Sequence, residues 1–376
     1  MASDINTQLS RLKSRRSGTD RIANVAMDAR DAIWAKSLIA EEWEKKASQK
    51  PNTRYAIGAM QPVDATYTKV SLETASRIQN QLEKRLPSHG VNSVYRLQGS
   101  VPLDVHIRGV SDVDLLAIDT SFLIYQLGGK LATSGYYLPS SQSSKEVISM
   151  LRDSCAKSLI DAFPATDIVV GDKSIKISGG SLPRPVDVVP SHWWDTLKYQ
   201  DTLVEDYRGV IISNKATNET IENQPFYHIR LINERCASVQ GSLRKAIRLC
   251  KNIKADSEED GEKIELSSFD IASAMYHANL DMLRIGLIYD LAILAETQRH
   301  LDSLATNHSY AKTLLVPDGS RPIFNDHKKL VALNQLSIKV DKLLLNVAKE
   351  YDPRLNLLST SSHEANRNAV RSIFVI

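Results

Sequence analysis

The chain has 376 residues, 42% of them hydrophobic and 24% charged, which is the composition of a globular protein with room for two ordinary domains. A net charge of +3 argues against tight general nucleic-acid binding, and no apolar run is long enough to span a membrane. The three cysteines are scattered and lack the spacing of a zinc site, and the sequence does not begin with a signal-peptide pattern. We therefore expect a cytoplasmic protein.

Residues 1–50 begin polar and basic and continue with helical periodicity. The basic residues are Arg11, Lys13, Arg15 and Arg16. We expect them to form a solvated terminus, and nucleic-acid contact is the alternative interpretation. Apolar residues then recur near one face of a predicted helix, at Ile22, Ala26, Ala29, Ile33 and Ala40.

The chain then mixes helical and strand patterns, which are typical of an α+β domain. Ile78, Leu82 and Leu86 mark one face of a helix that Pro87 ends. A second helix is predicted over residues 147–163. The predicted strands are 93–98, 168–170, 174–178 and 185–189.

Three short pieces of this part together predict a site for two-metal nucleotidyl transfer. Gly99 and Ser100 open a turn, Asp112 and Asp114 stand two apart, and Asp187 lies in a later strand. Residues i and i+2 of a strand face the same side, so the acid pair can reach one divalent cation or two. Clustered carboxylates also need a cation to offset their repulsion. We therefore expect two Mg²⁺ ions, for which Mn²⁺ can substitute.

The Gly-Ser turn supplies the phosphate-binding part of this prediction. Backbone N–H groups at Gly99 and Ser100, with the Ser100 hydroxyl, are suited to the phosphates of a nucleoside triphosphate. Each piece taken alone has a structural interpretation as an ordinary turn or a strand-end acid. Their order along the chain favours the catalytic interpretation.

His192, Trp193 and Trp194 follow Pro190 and allow two interpretations. They could stack on a nucleobase, or they could form a packing corner after the proline. We favour the packing corner because tryptophan mostly buries apolar area.

Helical periodicity dominates the rest of the chain. A polar hairpin or linker at residues 211–223 precedes it, and the acidic stretch 256–261 is predicted to be a loop. The turn-rich residues 316–322 lead into a last long helix at 327–351. The tail from residue 352 is expected to be loose.

These motifs resemble those of a known enzyme superfamily. Gly-Ser, then Asp-x-Asp, then a distant Asp resembles the DNA polymerase β-like nucleotidyltransferases. The stretches 244–251 (RKAIRLCK) and 265–270 (ELSSFD) resemble the helical second domain of oligoadenylate synthases, cyclic GMP-AMP synthase and the bacterial cGAS/DncV-like nucleotidyltransferases (CD-NTases). The resemblance covers about residues 55–345. Residues 101–108 depart from it, because this stretch is usually small and hydroxyl-rich in the family.

The resemblance implies a fold and a domain order. It implies an α+β polymerase β-like core with a mixed sheet, followed by an all-helical, oligoadenylate-synthase-like domain. The expected domains are a bracing N-terminal helix at 1–50, the catalytic core at 51–215, the helical domain at 216–351 and a tail at 352–376.

The resemblance also implies roles for residues of the helical domain. Lys251 and Ser268 would hold the triphosphate, and Phe269 would stack on the donor base. From the residues alone, Lys251 could equally be a solvated helix lysine, and Ser267-Ser268 could be the N-cap of a helix over 269–277.

The implied activity is synthesis of a cyclic di- or trinucleotide signal from nucleoside triphosphates. The substrate would be ATP, with GTP or UTP as further candidates, and pyrophosphate would be released. In the family this product serves bacterial anti-phage (CBASS) signalling through a separate effector. The alternatives are a polymerase β-like enzyme that modifies a tRNA or protein, and a non-catalytic nucleotide-binding module.

Overall fold

A computed structural model describes residues 4–19, 34, 38–47, 49–107, 112–357 and 361–376. The chain divides into two units, each assembled from separate pieces. The sheet unit comprises Asp64–Pro102 and Ser111–Arg230. The helical unit comprises Met1–Val63, Leu103–Val110 and Leu231–Ile376. The mixed sheet with helices and the helical C-terminal part confirm the predicted α+β class.

The element bounds are as follows. The described strands are β1 (Ser93–Gln98), β2 (Val113–Tyr125), β3 (Asp167–Val170), β4 (Ile175–Ser178), β5 (Val186–Asp195), β6 (Gly209–Asn214) and β7 (Glu219–Asn223). The described α-helices are α1 (Ile5–Ser17), α2 (Glu42–Lys45), α3 (Pro51–Met60), α4 (Ala65–Arg85), α5 (Lys130–Thr133), α6 (Ser144–Ala162), α7 (Leu197–Thr202), α8 (Pro225–Ala237), α9 (Ser242–Glu259), α10 (Ser268–Tyr276), α11 (Leu280–Ile285), α12 (Asp290–Thr306), α13 (His308–Ala311), α14 (His327–Tyr351) and α15 (His363–Val370). Short 3₁₀ helices lie at Leu86–His89, Glu205–Tyr207 and Pro353–Asn356.

The sheet has the strand order β1-β2-β5-β4-β3, with β6 added to β5 and β7 to β6. The central strands β2 and β5 run parallel, and the other neighbours are antiparallel. Val113 and Leu115 of β2 share a buried core with Val186 and Val188 of β5 and with helices α4 and α6. Because side chains alternate along a strand, the acids between these residues lie on the opposite face.

Pro190 lies inside β5 without interrupting it. Its antiparallel neighbour β4 pairs as far as Val188, and β6 begins to pair at Ser191. The proline therefore lies between the residues of β5 that pair with β4 and those that pair with β6, where no backbone N–H is needed for strand pairing. Trp193 and Trp194 continue the strand and are buried, so the packing prediction is confirmed. The predicted corner is wrong, because β5 runs through to Asp195.

The basic N-terminus is ordered within the helical unit. Arg15 is 3% exposed and pairs with Asp256 at 2.7 Å and Glu259 at 2.8 Å. The prediction of a solvated terminus is therefore wrong for this helix. The other basic residues also have acidic partners: Arg11 pairs with Asp260, Lys13 with Glu44 and Arg16 with Glu41. The predicted helix face at Ile22, Ala26, Ala29 and Ile33 lies outside the described residues, and Ala40 is exposed outside any helix.

Two further predictions fail in the helical unit. The acidic stretch at 256–261 was expected to be a loop, but α9 continues to Glu259 because buried Asp256 accepts hydrogen bonds from Arg15 and Tyr55. The tail was expected to be loose, yet α15 packs against α12 and α14 and buries Asn366. Both errors concern segments held by distant parts of the chain.

The unit boundaries differ from the expected domain limits. Helix α3 belongs to the helical unit, so the sheet unit begins at Asp64 instead of residue 51. The hairpin β6–β7 pairs with β5, so the sheet unit extends beyond residue 215, to Arg230. Within the described residues, no helix is both long enough and apolar enough to cross a membrane.

Candidate active site

The register of the two central strands places two of the predicted acids side by side. Asp114 of β2 pairs with Asp187 of β5 in the parallel ladder, and neighbouring strands are about 4.8 Å apart. Both side chains are half-buried, on the face opposite the core of Val113 and Val186. Two carboxylates that are far apart in sequence therefore lie side by side on one face of the sheet, at the N-terminal ends of its two central strands.

Gly99 lies directly beside Asp114 of this acid pair. It directly follows Gln98, the last residue of β1, which pairs with Asp114. The φ of Gly99 is +76°. A Cβ atom at this position would collide with Oδ2 of Asp114. Glycine is thus required twice, by the left-handed backbone and by the approach of the carboxylate. The turn at Gly99-Ser100 and the acid pair form one structure, as the sequence predicted.

Asp112 lies just before β2 and is held by a lysine. Its Oδ2 accepts a hydrogen bond from Nζ of Lys176, which lies on β4 and pairs with Asp187 in the ladder. Burial and then the Asp112 carboxylate raise the pKa of Asp187. The Lys176 ammonium, and after it the Ser174 hydroxyl at 3.5 Å, oppose this shift. This part of the sheet thus carries three acids and one cation, the Lys176 ammonium.

The carboxylate oxygens at these strand ends are suitable ligands for a hard divalent cation such as Mg²⁺. Asp112, Asp114 and Asp187 offer carboxylate oxygens, and the mutual repulsion that raises the pKa of Asp187 favours a bound cation. Within the described residues, the oxygens of these three side chains do not all lie within 4.8 Å of one another. A shared ion would require at least one of these three side chains to move.

A second group of metal-ligating side chains lies in the helical unit. Asp302, Asp341 and His363 bring ligand atoms within 4.8 Å of one another. Gln298 donates to Asp341 at 2.8 Å, and the Arg367 guanidinium lies 3.9 Å from Asp302. Asp341 thus accepts a hydrogen bond from an amide and Asp302 lies beside a guanidinium, so both carboxylates have partners within the protein.

The helical unit holds the other three predicted site residues. Lys251 lies on α9, is 3% exposed, and donates a hydrogen bond to the Val105 carbonyl at 2.9 Å. It is therefore not a solvated helix lysine. Ser268 is exposed at the start of α10, while the N-cap of that helix is Ser267. Phe269 is half-buried, beside the Arg321 guanidinium.

The structure gives the positions of the predicted site residues, and the catalytic, metal-binding and nucleotide-binding roles of all of them stay predictions. The sheet unit brings together Gly99, Asp112, Asp114 and Asp187, with Ser100 following the turn glycine. The contacts of Lys251, Ser268 and Phe269 with a nucleotide remain predictions.

Sequence reasoning missed Lys176. The residue is the central position of the alternating strand pattern 174–178, which placed its side chain on one face. Only the pairing of β4 with β5 shows that this face also carries Asp187. A lysine at a predicted strand position near a carboxylate motif is the signal that could have indicated it.

Comparison with known proteins agrees with these motifs. The family model of the cGAS/DncV-like nucleotidyltransferase C-terminal helical domain matches residues 230–344. The cyclic dinucleotide synthase CdnE of Yersinia aleksiciae is 44% identical over 363 residues, which cover 93% of each chain.

Solved structures share the architecture. The STING-associated CdnE c-di-GMP synthase of Capnocytophaga granulosa is 26% identical, with a TM-score of 0.67, and the match covers 93% of this chain and 100% of that one. The STING-associated CdnE c-di-GMP synthase of Flavobacteriaceae sp. has a TM-score of 0.70 at 20% identity, and the match covers 92% and 99% of the two chains. The second likeness shows the fold alone.

The identity to the Yersinia protein extends over nearly the whole of both chains, through the sheet unit and the helical unit alike. The resemblance drawn from the sequence motifs is thereby confirmed. The chain belongs to the cGAS/DncV-like nucleotidyltransferases (CD-NTases) and is a nucleotidyltransferase.

Proposed function

We propose that this enzyme joins nucleoside triphosphates into a cyclic oligonucleotide signal, with a cyclic dinucleotide as the first candidate. The observation that carries the proposal is the pairing of Asp114 with Asp187 beside the Gly99 turn. The relatives described above support the product class, since the Yersinia protein is a cyclic dinucleotide synthase and the Capnocytophaga protein a c-di-GMP synthase.

The proposed reaction is the same at each step. A ribose hydroxyl of the acceptor attacks the α-phosphorus of the donor, a new P–O bond forms, and the bond to the β-phosphate breaks. Pyrophosphate leaves with the bonding electrons. Asp187, whose pKa is raised by burial and by Asp112, is the proposed acceptor of the hydroxyl proton. A second attack within the linear product closes the ring.

The chain's own residues would orient this reaction. Backbone N–H groups of Gly99 and Ser100 are proposed to hold the donor phosphates, and Asp112, Asp114 and Asp187 to hold two Mg²⁺ ions. The ions, when bound, would neutralise phosphate charge and lower the pKa of the attacking hydroxyl. Lys251 and Ser268 are proposed to grip the triphosphate from the helical unit, and Phe269 to stack on the base.

We further propose that the product acts on a separate effector in bacterial anti-phage defence. The Capnocytophaga relative is described as STING-associated, which supports an effector that recognises a cyclic dinucleotide. Synthesis would take place in the cytoplasm, where nucleoside triphosphates are available.

The test is a product assay on the purified protein. It is incubated with all four α-³²P-labelled nucleoside triphosphates and Mg²⁺ or Mn²⁺, treated with phosphatase and separated by thin-layer chromatography. We expect a labelled small molecule that resists phosphatase, because its phosphates lie within a ring. Omitting one triphosphate at a time, GTP first, identifies the bases.

Two variants make the assay specific. Asp112→Ala/Asp114→Ala should abolish the product, whereas Asp153→Ala, which removes an exposed carboxylate on α6, should retain it. Chelation with EDTA should have the same effect as the double substitution. If label instead moves onto RNA or protein when cell lysate is added, the proposal fails and the macromolecule-modifying alternative is correct.

A further inference from the structure

The two halves of the sheet-unit site are joined by a segment that belongs to the helical unit. Gly99 and Ser100 precede it and Asp112 follows it, whereas Leu103–Val110 is part of the helical unit. Leu103, Val105, His106 and Ile107 in this segment are all buried. The chain therefore leaves the sheet unit between its phosphate-binding turn and its acid pair, and it is anchored elsewhere before it returns.

Arg248 of α9 makes several polar contacts to this segment. Its Nε and Nη2 donate to the Asp104 carbonyl at 3.0 and 2.7 Å, and Nη2 also donates to Asp104 Oδ2 at 2.8 Å. Its Nη1 donates to the Met60 carbonyl at the C-terminal end of α3, at 3.0 Å. Helix ends of this kind attract cations. One guanidinium, 4% exposed, thus fixes the segment to two helices.

The neighbouring cations on the same helix face extend this anchor. Arg244 donates to the Leu103 carbonyl at 2.9 Å, and Lys251 donates to the Val105 carbonyl at 2.9 Å. Positions 244, 248 and 251 are spaced by four and three residues, so their side chains form one row along α9. Three consecutive carbonyls of the segment, those of residues 103, 104 and 105, each receive a cation.

This row explains the departure of residues 101–108 from the small, hydroxyl-rich pattern of the family. Leu103, Val105 and Ile107 bury their side chains, each contributing about 1.5–3 kcal/mol. Asp104 adopts a left-handed φ of +53° and turns its carbonyl and its carboxylate toward the same guanidinium. The segment is built for attachment to α9.

We propose that Arg248 is a positioning residue: by anchoring residues 103–105 to α9, it restrains the chain that directly continues the Gly99-Ser100 turn. The inference rests on the proposed function only for its kinetic consequence. Its structural consequence, a segment that opens more readily when Arg248 is changed, is independent of any activity.

The first measurement is hydrogen–deuterium exchange on full-length Arg248→Lys. Lysine keeps the charge, but a single ammonium cannot reach the two carbonyls and the carboxylate that the guanidinium fork joins. We expect amides in residues 99–107 to exchange about tenfold faster, while peptides from α10 remain unchanged. In the product assay we expect kcat to fall about 100-fold, with KM for the triphosphate within about threefold.

The matched control is Arg15→Lys. Arg15 is similarly buried and also binds α9, but its described side-chain partners are Asp256 and Glu259 and not residues 103–107. The control substitution should accelerate exchange across the helical unit without a selective increase at 99–107, and it should not cause the selective loss of kcat. If both lysine variants change exchange and kinetics alike, Arg248 has only a general structural role and the inference is overturned.

Asp104→Asn covers the case in which Arg248→Lys fails to fold. Asparagine tolerates the left-handed backbone but removes the charged partner of Arg248. It should shift exchange at 99–107 and kcat in the same direction by a smaller factor. Wild-type exchange at these residues in both variants would refute the inference. A wild-type enzyme that makes no cyclic product would refute only the proposed function, because the exchange result would stand.

Discussion

At the residue scale, the positions of single atoms decide which substitutions the site tolerates. Gly99 has no Cβ, and Oδ2 of Asp114 occupies the position that this atom would take. The raised pKa of Asp187 and the hydrogen bond from Lys176 to Asp112 show how closely the charges are packed around the Asp114 carboxylate. A substitution at the turn glycine therefore acts directly on an acid of the neighbouring strand.

Gly99→Ala should reduce activity at least 100-fold, because the new methyl group must displace Asp114. The positive φ adds about 1–2 kcal/mol of backbone strain. Gly90→Ala is the matched control, since Gly90 has a similar φ of +74° but nothing within 4 Å of an added Cβ. Product formation and thermal stability of both variants check the prediction. Equal loss of activity in the two would contradict the collision argument.

Caps and alternation account for the elements that the sequence predicted well. Strand β1 and helix α14 have the predicted limits, and α14 begins where the Asp326 side chain caps the Lys329 N–H. These signals are local in the chain. The register that joins Asp114 to Asp187 is not local, although the motif order implied it.

The elements that the sequence predicted poorly depend on distant partners. Asp256 stands in an acidic stretch that suggests a loop, and it becomes helical because Arg15, 241 residues away, neutralises it. Lys176 and Arg248 were missed for the same reason, since their partners are fixed by tertiary contacts. Composition and periodicity carry no information about such pairings.

Arg15→Met should destabilise the helical unit by about 3–5 kcal/mol, because it removes the guanidinium from the buried Asp256 carboxylate and leaves, among the hydrogen bonds of the described residues, only the one from the Tyr55 hydroxyl. The same substitution at Lys45, whose ion pair with Glu42 has side chains 60% and 86% exposed, should have a much smaller effect, because water screens both charges. Denaturant midpoints of the two variants measure the difference. Similar midpoints would mean that the buried pair contributes no more than a surface pair.

At the scale of the whole molecule, the stability of the helical unit depends on pH through a buried histidine. His300 of α12 donates to the Ala274 carbonyl of α10 at 2.8 Å, and burial lowers its pKa from 6.5 to about 4. The unfolded chain therefore binds a proton at a pH where the folded chain does not. Helix α10 also carries Ser268 and Phe269, so acid would weaken the support of predicted nucleotide contacts.

We expect the free energy of unfolding to fall by up to ~3 kcal/mol as the pH drops from about 6.5 to about 4. The sign follows from the lowered pKa: the contribution is complete above the unfolded value and is lost as the pH falls through the folded one. His300→Gln keeps an N–H donor and removes the titration, so its stability should vary less over this range. An unchanged pH profile in this variant would assign the effect to other groups.

The division of the helical unit into three chain segments constrains how the protein is made. Residues 64–230 contain the whole sheet unit and emerge from the ribosome without waiting for later sequence, so this unit can fold first. The first 63 residues must wait until α9, α12 and α14 have been synthesised. A nascent chain thus carries its acid pair early but lacks the helices that anchor residues 103–107. Interrupted synthesis would leave fragments that lack Lys251, the residue proposed to bind the triphosphate, and we expect such fragments to make no cyclic product.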